Sequence, residues 1–198
     1  MKQTHSTKIF VVNDKLILEQ PLHIIHGVDG LITTRKNTGL ISHGADCALV
    51  AFWDKDTIGV CHAGWRGFVN GMFDKMLGYF KKDPHVFIGP FLHTFEIQKD
   101  QCYFEIQKKL GTQYFQKENG KIIFDFRSAM QDSFNNFKYV HLDNRSTHSH
   151  PELASWRRDK KKGNGTQNRL VIWRDSNNEV MTKLFLPSEK IIQSQNSE

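Results

Sequence analysis

The strongest constraint in this chain is a single short passage. Six consecutive apolar residues, Ala48-Leu49-Val50-Ala51-Phe52-Trp53, run into Asp54-Lys55-Asp56-Thr57 and then into Ile58-Gly59-Val60-Cys61-His62. Two apolar runs separated by a polar turn predict a β-hairpin. Cys47 stands at the start of the first strand and His62 at the end of the second, so the hairpin returns the two side chains to one sheet edge. A thiolate beside an imidazole suits two chemistries: metal ligation, or a cysteine nucleophile activated by a histidine base. A buried cysteine and a merely hydrogen-bonded histidine are the plainer alternative. Against it stand Asp46, directly before Cys47, and His62-Ala63-Gly64-Trp65-Arg66-Gly67, which sets small residues around one cation. Glycines there permit close backbone approach to a ligand, and Arg66 is suited to an anion.

The rest of the chain reads as mixed α and β. Strands are expected over residues 8–12, 22–25, 31–33, 86–88, 122–124 and 139–142. Val69, Met72, Phe73, Met76, Leu77 and Phe80 recur at helical spacing, which predicts one amphipathic helix ended by Asp83-Pro84. A second helix is expected over 100–110 before Gly111, and a third from a cap at Asp125 to Phe137. Residues 143–165 are polar and basic and read as a long loop with one helical turn near Glu152. Strands at 170–173 and 180–185 form a closing hairpin around Asp175-Ser176-Asn177-Asn178. The expected fold is α+β, a single domain over residues 1–187 with a mixed β-sheet core flanked by helices, and a flexible tail over 188–198.

Composition narrows the setting. The 198 residues, 38% hydrophobic and 12% aromatic, can build one sizeable core. A net charge of +6 favours anions: nucleic acid, a membrane surface or a phosphorylated small molecule. No basic stretch interleaved with aromatics, and no Gly-X-X-Gly clamp, supports nucleic acid. No run approaches the roughly 20 apolar residues that span a bilayer. Three cysteines, Cys47, Cys61 and Cys102, do not make a secreted disulfide framework, so reduced thiols and a cytoplasmic location are expected.

Ala45-Asp46-Cys47 resembles the Ala-Asp-Cys signature, and His62 to Gly67 the His-Ala-Gly-Trp-Arg-Gly motif, of the YfiH-like family. That family is also described as the multicopper polyphenol oxidoreductase laccase domain, purine nucleoside phosphorylase or peptidoglycan editing factor. The likeness extends through Asp29-Gly30-Leu31-Ile32-Thr33, Ile88-Gly89-Pro90, Phe124-Asp125-Phe126 and Ser155-Trp156-Arg157-Arg158-Asp159. It implies a YfiH-like layered fold and a divalent metal held by two histidines and one cysteine. Cys47 and His62 match two of these, and the first histidine should lie upstream of a strand. His5, in Gln3-Thr4-His5-Ser6, precedes a strand-like run and is preferred to His26, which abuts Val28-Asp29 without room for one. Family members usually begin with a longer segment bearing a Phe-Ser-Thr-Arg turn and a Gly-Gly pair, so a shortened start is expected here. Phe95-Glu96-Ile97 stands where a Cys-Tyr-Glu-Val run is usual, Ser146-Thr147 where Cys-Thr is, and Gln167-Asn168-Arg169 where Thr-Gly-Arg is.

Two histidines and a cysteine with an open fourth position are a catalytic zinc pattern; copper is possible with the same donors. The resemblance implies phosphorolysis of adenosine, inosine, guanosine or methylthioadenosine, and deamination of adenosine. The expected metal ligands are His5, Cys47 and His62; the catalytic set is Cys47, His62 and Asp46; and Arg66, Arg157 and Arg158 are expected to contact substrate. The partners are then a nucleoside and phosphate, with no nucleic acid or membrane, on a monomer or homodimer. His148 and His150 are read as exposed loop residues with an open site role, and Lys160-Lys161-Lys162 as solvated charge. A metal-free Cys/His hydrolase acting on amide bonds or in peptidoglycan editing, and a copper-dependent polyphenol oxidase, are the competing readings.

Overall fold

The computed structural model describes residues 1–13, 22–159 and 166–189. Elements are numbered in chain order. Among the described residues a six-stranded mixed sheet runs β1 (Ile9–Val12), β2 (Gly30–Thr33), β5 (Ile58–Ala63), β4 (Ala48–Trp53), β6 (His85–Ile88), β10 (Val140–Leu142). The outer pairs β1/β2 and β6/β10 are parallel and the inner pairs antiparallel. A second sheet joins β12 (Val180–Phe185), β11 (Asn168–Arg174) and β3 (Thr38–Gly44). A third joins β7 (Thr94–Ile97), β9 (Lys121–Asp125) and β8 (Phe115–Glu118). The helices are α1 (Trp65–Val69), α2 (Met72–Leu77), α3 (Gln101–Leu110), α4 (Phe126–Asp132) and α5 (Trp156–Asp159).

Both faces of the large sheet are covered, which is why β4 is apolar at every position rather than at every second one. Val50 and Phe52 face α1, α2 and α4, meeting Phe68, Met72, Phe73, Met76 and Met130. Leu49 and Ala51 face the opposite way, meeting Leu40, Leu170 and Ile172 of the β3/β11/β12 sheet. Helices, large sheet and small sheet therefore form successive layers of an α+β fold. Gly30 and Gly59 let α2 sit close: a Cβ on either would come within 3.0 Å of Met76 atoms.

The β4/β5 hairpin forms as expected, with Leu49 opposite His62 and Ala48 opposite Ala63. The closing hairpin also forms, as β11/β12. Asp100 caps α3 by accepting from the amides of Cys102 and Tyr103, and Asp125 caps α4 by accepting from that of Ser128. Other expectations are corrected. The single helix over 69–80 is two, α1 and α2, because Gly71 turns left-handed at φ 79° between them, and α2 stops at Gly78, before Asp83-Pro84. The helix expected to reach Phe137 ends at Asp132. Residues 22–25 make no strand: Leu22 and Ile24 stay exposed, and an isolated bridge pairs Lys2 with His26. Strands β3, β7 and β8 were not foreseen; β3 carries glycine, serine and histidine and is held by β11, a partner more than a hundred residues away. The long loop holds α5, and residues 160–165, with the Lys160-Lys161-Lys162 run, lie outside the described residues. Of the expected tail, 190–198 also lie outside them. Among the described residues no helix is long and apolar enough to cross a membrane.

Candidate metal centre and cavity

The hairpin ends where the chemistry gathers. Cys47 immediately precedes β4 and His62 is the next-to-last residue of β5, so strand pairing alone sets them side by side. The N-terminal segment brings His5 to the same place. One donor atom from each of His5, Cys47 and His62 falls within 4.8 Å of the others. Cys47 Sγ is 3.8 Å from His5 Nε2, and the two imidazoles meet edge to face with centroids 4.8 Å apart. Gly64 makes room for them, since a Cβ there would lie 2.8 Å from Cys47 Sγ and 3.3 Å from His5 Cδ2. His26 is exposed and paired with Lys2 instead.

A carboxylate absent from the sequence expectations organises this cluster. Asp29, fully buried, accepts from His62 Nδ1 at 3.0 Å and from the amides of Thr4, His5 and Ser6. Burial opposes its charge, but the hydrogen bonds from His62, Ser6 and Thr4 win and hold it well below the usual carboxylate range. For His62, burial alone would lower the pKa, yet the bonds to Asp29 and Cys47 raise it to about 9. Burial pushes the Cys47 thiol up, and hydrogen bonds from His5 and His62 bring it down to about 7. Cys61 has no such help: burial and the charge of Asp29 push its thiol far up. All three cysteines are free.

The cluster lies in the wall of a cavity of about 510 Å³, a size ordinary for small-molecule sites. Aromatic faces line it: Trp65, Phe95, Phe126 and Trp156, the last 62% exposed. Among the described residues, Arg66 and Arg157 reach it. Arg66 lies over the Trp65 ring at 4.7 Å, with Nη2 3.8 Å from Cys102 Sγ, and Arg157 lies over the Phe95 ring at 4.7 Å.

Asp46 lines the cavity, and its carboxylate also braces the site. Its backbone is left-handed at φ 82°, and its two carboxylate oxygens accept from Thr147 Oγ1 and from the Arg157 amide, each at 2.7 Å. The loop carrying Arg157 is thereby tied to the residue before Cys47. Arg158, expected to contact substrate, does not line the cavity. Its guanidinium is spent on the carbonyls of Thr147, His148, His150 and Leu153 and on Asp159. Neither His148 nor His150 lines the cavity; His150 Nδ1 is 3.0 Å from the Ser146 carbonyl. The signal for Asp29 was present as an acid set directly before an apolar strand, where only a buried partner would hold it.

The model of a family described as multi-copper polyphenol oxidoreductase laccase matches residues 1–174. Similar curated proteins include a purine nucleoside phosphorylase of Aquifex aeolicus, 31% identical over 81% of this chain and 76% of its own length. Another purine nucleoside phosphorylase, from Borreliella burgdorferi, is 29% identical over 88% of this chain and 78% of its own. Among solved structures, the hypothetical protein YfiH of Bacillus licheniformis superposes with a TM-score of 0.68 at 23% identity, over 81% of this chain and 68% of its own. YlmD of Geobacillus stearothermophilus does so with a TM-score of 0.68 at 20% identity, over 88% and 72%.

Proposed function

The chain belongs to the multi-copper polyphenol oxidoreductase laccase family, and from that premise we propose that it is a zinc-dependent purine nucleoside enzyme, catalysing phosphorolysis of nucleosides such as adenosine and inosine and deamination of adenosine. Relatives named purine nucleoside phosphorylase at about 30% identity support a nucleoside phosphorylase-like role. The observation that carries the reading is the convergence of His5, Cys47 and His62 in a cavity that also holds Arg66, Arg157 and aromatic faces.

The donors fit a divalent ion. Two imidazoles and one thiolate are the ligand types zinc prefers, and Gly64 leaves the gap a side chain would fill. Because Asp29 can only accept, His62 donates through Nδ1 and keeps Nε2 for a ligand. His5, Cys47 and His62 would hold such an ion, which would supply Lewis-acid chemistry to a substrate in the cavity. Arg66 and Arg157 bind phosphate or the ribose side, each stiffened by the ring beneath it. Trp156 and Trp65 offer flat faces to a purine, which stacks on indole with favourable dispersion. We take residues 1–187 as the catalytic domain, in the reducing cytoplasm that free thiols suit.

A second reading has its own observation: the Cys47 thiol, drawn down to about 7 between two histidines, is poised as a metal-free nucleophile. One experiment separates the two. Phosphate-dependent release of base from adenosine and inosine is measured for wild type, His5→Ala, Cys47→Ala and His62→Ala, with metal content determined on the same samples. Stoichiometric zinc in wild type, lost with activity in each variant, is the expected result. Copper in its place, with turnover of polyphenols, would move the assignment to the oxidase. Metal-free protein inactivated by iodoacetamide, insensitive to chelator, would instead identify the cysteine hydrolase.

A further inference from the structure

The N-terminal segment that supplies His5 is not part of a regular element at that point. His5 itself has a left-handed backbone, φ 58°, a conformation that costs a non-glycine residue energy and persists only when its surroundings dictate it. What surrounds it is Asp29. Oδ1 accepts from the His5 amide at 3.0 Å and from His62 Nδ1 at 3.0 Å. Oδ2 accepts from the Ser6 amide at 2.8 Å, from Ser6 Oγ at 2.7 Å and from Thr4 Oγ1 at 3.2 Å. The Thr4 amide reaches both oxygens. Three successive amides thus curl around one carboxylate, a backbone nest built for an anion. The main chain of Asp29 takes part as well, its carbonyl accepting from the His62 amide at 2.8 Å.

We propose that Asp29 is the positioning residue of the metal centre: one buried carboxylate fixes the ring of His62 and the backbone of His5, and so sets two of the three donors together. This inference rests on the metal reading above. Its physical content is coupling. A carboxylate that only oriented one ligand ring would tune that ring; Asp29 also folds the segment bearing the other histidine onto the sheet. Without its charge the nest of amides has nothing to close on, His5 leaves its strained conformation, and the pair of imidazoles separates. Ser6 and Thr4 act in the same assembly through their hydroxyls, each completing the coordination of Oδ2.

The test uses the full chain, stripped and reloaded with zinc. Zinc affinity is measured by competition with a chromophoric chelator, and thermal unfolding is followed with and without zinc, for wild type, Asp29→Asn, and the double variant Thr4→Val/Ser6→Ala. Asp29→Asn is expected to weaken zinc binding by about 10- to 100-fold, the range for lost partners of ligating histidines, and to shrink the zinc-induced rise in Tm. The double variant, which keeps the charge, is expected to weaken it less. Cobalt substitution adds a signature: the thiolate charge-transfer band persists from Cys47 while the ligand-field bands shift. Equal zinc affinity and an equal zinc-induced rise in Asp29→Asn, whatever the Tm of the metal-free form, would overturn the inference and leave the metal reading intact. If Asp29→Asn does not fold, the double variant decides: weakened binding supports the coupling, unchanged binding overturns it. A wild type that takes up neither zinc nor cobalt overturns the metal reading itself.

Discussion

Thr147 Oγ1 donates to Asp46 Oδ1 at 2.7 Å across 101 positions of sequence, and both side chains are buried. This bond, with the one from the Arg157 amide to the other oxygen of Asp46, fastens the loop that delivers Arg157 to the strand end that delivers Cys47. Replacing Thr147 by valine leaves Asp46 one donor short at nearly constant volume, at a cost of about 1–3 kcal/mol. The expected outcome is a lower denaturant midpoint with metal content unchanged and a raised KM for phosphate. Chemical denaturation and steady-state kinetics on one preparation check it.

The three arginines should separate cleanly. Arg66 and Arg157 reach the cavity, while Arg158 satisfies backbone carbonyls. Arg66→Ala and Arg157→Ala are expected to raise KM for phosphate at least tenfold with stability nearly unchanged. Arg158→Ala strands several part-buried carbonyls and should cost about 2–3 kcal/mol of stability. A thermal melt of Arg158→Ala matching wild type would refute this division.

Gly64→Ala puts a methyl group 2.8 Å from Cys47 Sγ and 3.3 Å from His5 Cδ2. The backbone of Gly64 is extended, at φ −70°, so the chain itself tolerates alanine. The variant should fold normally and lose stoichiometric zinc, a pairing read by circular dichroism and elemental analysis. Retention of full zinc would show that the donors have slack the geometry does not suggest.

Thiol chemistry should rank the cysteines. In metal-stripped protein, Cys47 is expected to alkylate with a midpoint near its lowered value of about 7, while Cys61, buried and with its thiol pushed up, stays unmodified until unfolding. Bound zinc should protect Cys47. Peptide mass mapping across pH, with and without zinc, reads both effects.

Acid should weaken the fold through His93. Burial, and then the charge of Arg127, lower its pKa from 6.5 to about 4, and its Nε2 lies 3.3 Å from Arg127 Nη1, a contact that needs the neutral ring. The folded value lies below the unfolded one, so the unfolded chain takes the proton first. Stability therefore falls as pH drops from 6.5 towards 4 and is not lost further to this group below that. His93→Gln should flatten that limb of the pH–stability curve, while a curve unchanged from wild type would assign the acid sensitivity elsewhere.

What could be read from the sequence was what neighbours in the chain decide. The continuous apolar runs of β4 and β5, the helix after residue 100, the cap at Asp125 and the closing hairpin depend on residues within a few positions of one another, and Cys47 and His62 inherited their pairing from one tight hairpin. The spacing from Val69 to Phe80 was equally local, but it concealed the break at Gly71, because two short helices facing one core keep nearly the same rhythm as one.

Only tertiary structure decided the rest. His5 joins the cluster because parallel pairing of β1 with β2 lays the N-terminal segment over Asp29, and Asp29 becomes the anchor because β2 lies against β5. Arg157 faces the cavity and Arg158 does not, because Asp46 holds one amide of α5 in place from the other end of the chain. The sequence by itself determined the hairpin that pairs Cys47 with His62, since period and turn chemistry act over a few residues, while His5 was pointed to by the family resemblance. How His5 and Asp29 reach that hairpin depended on the order of strands in the sheet, and the difference between Arg157 and Arg158 on the bond from α5 to Asp46; both are set by contacts between distant segments that no local pattern encodes.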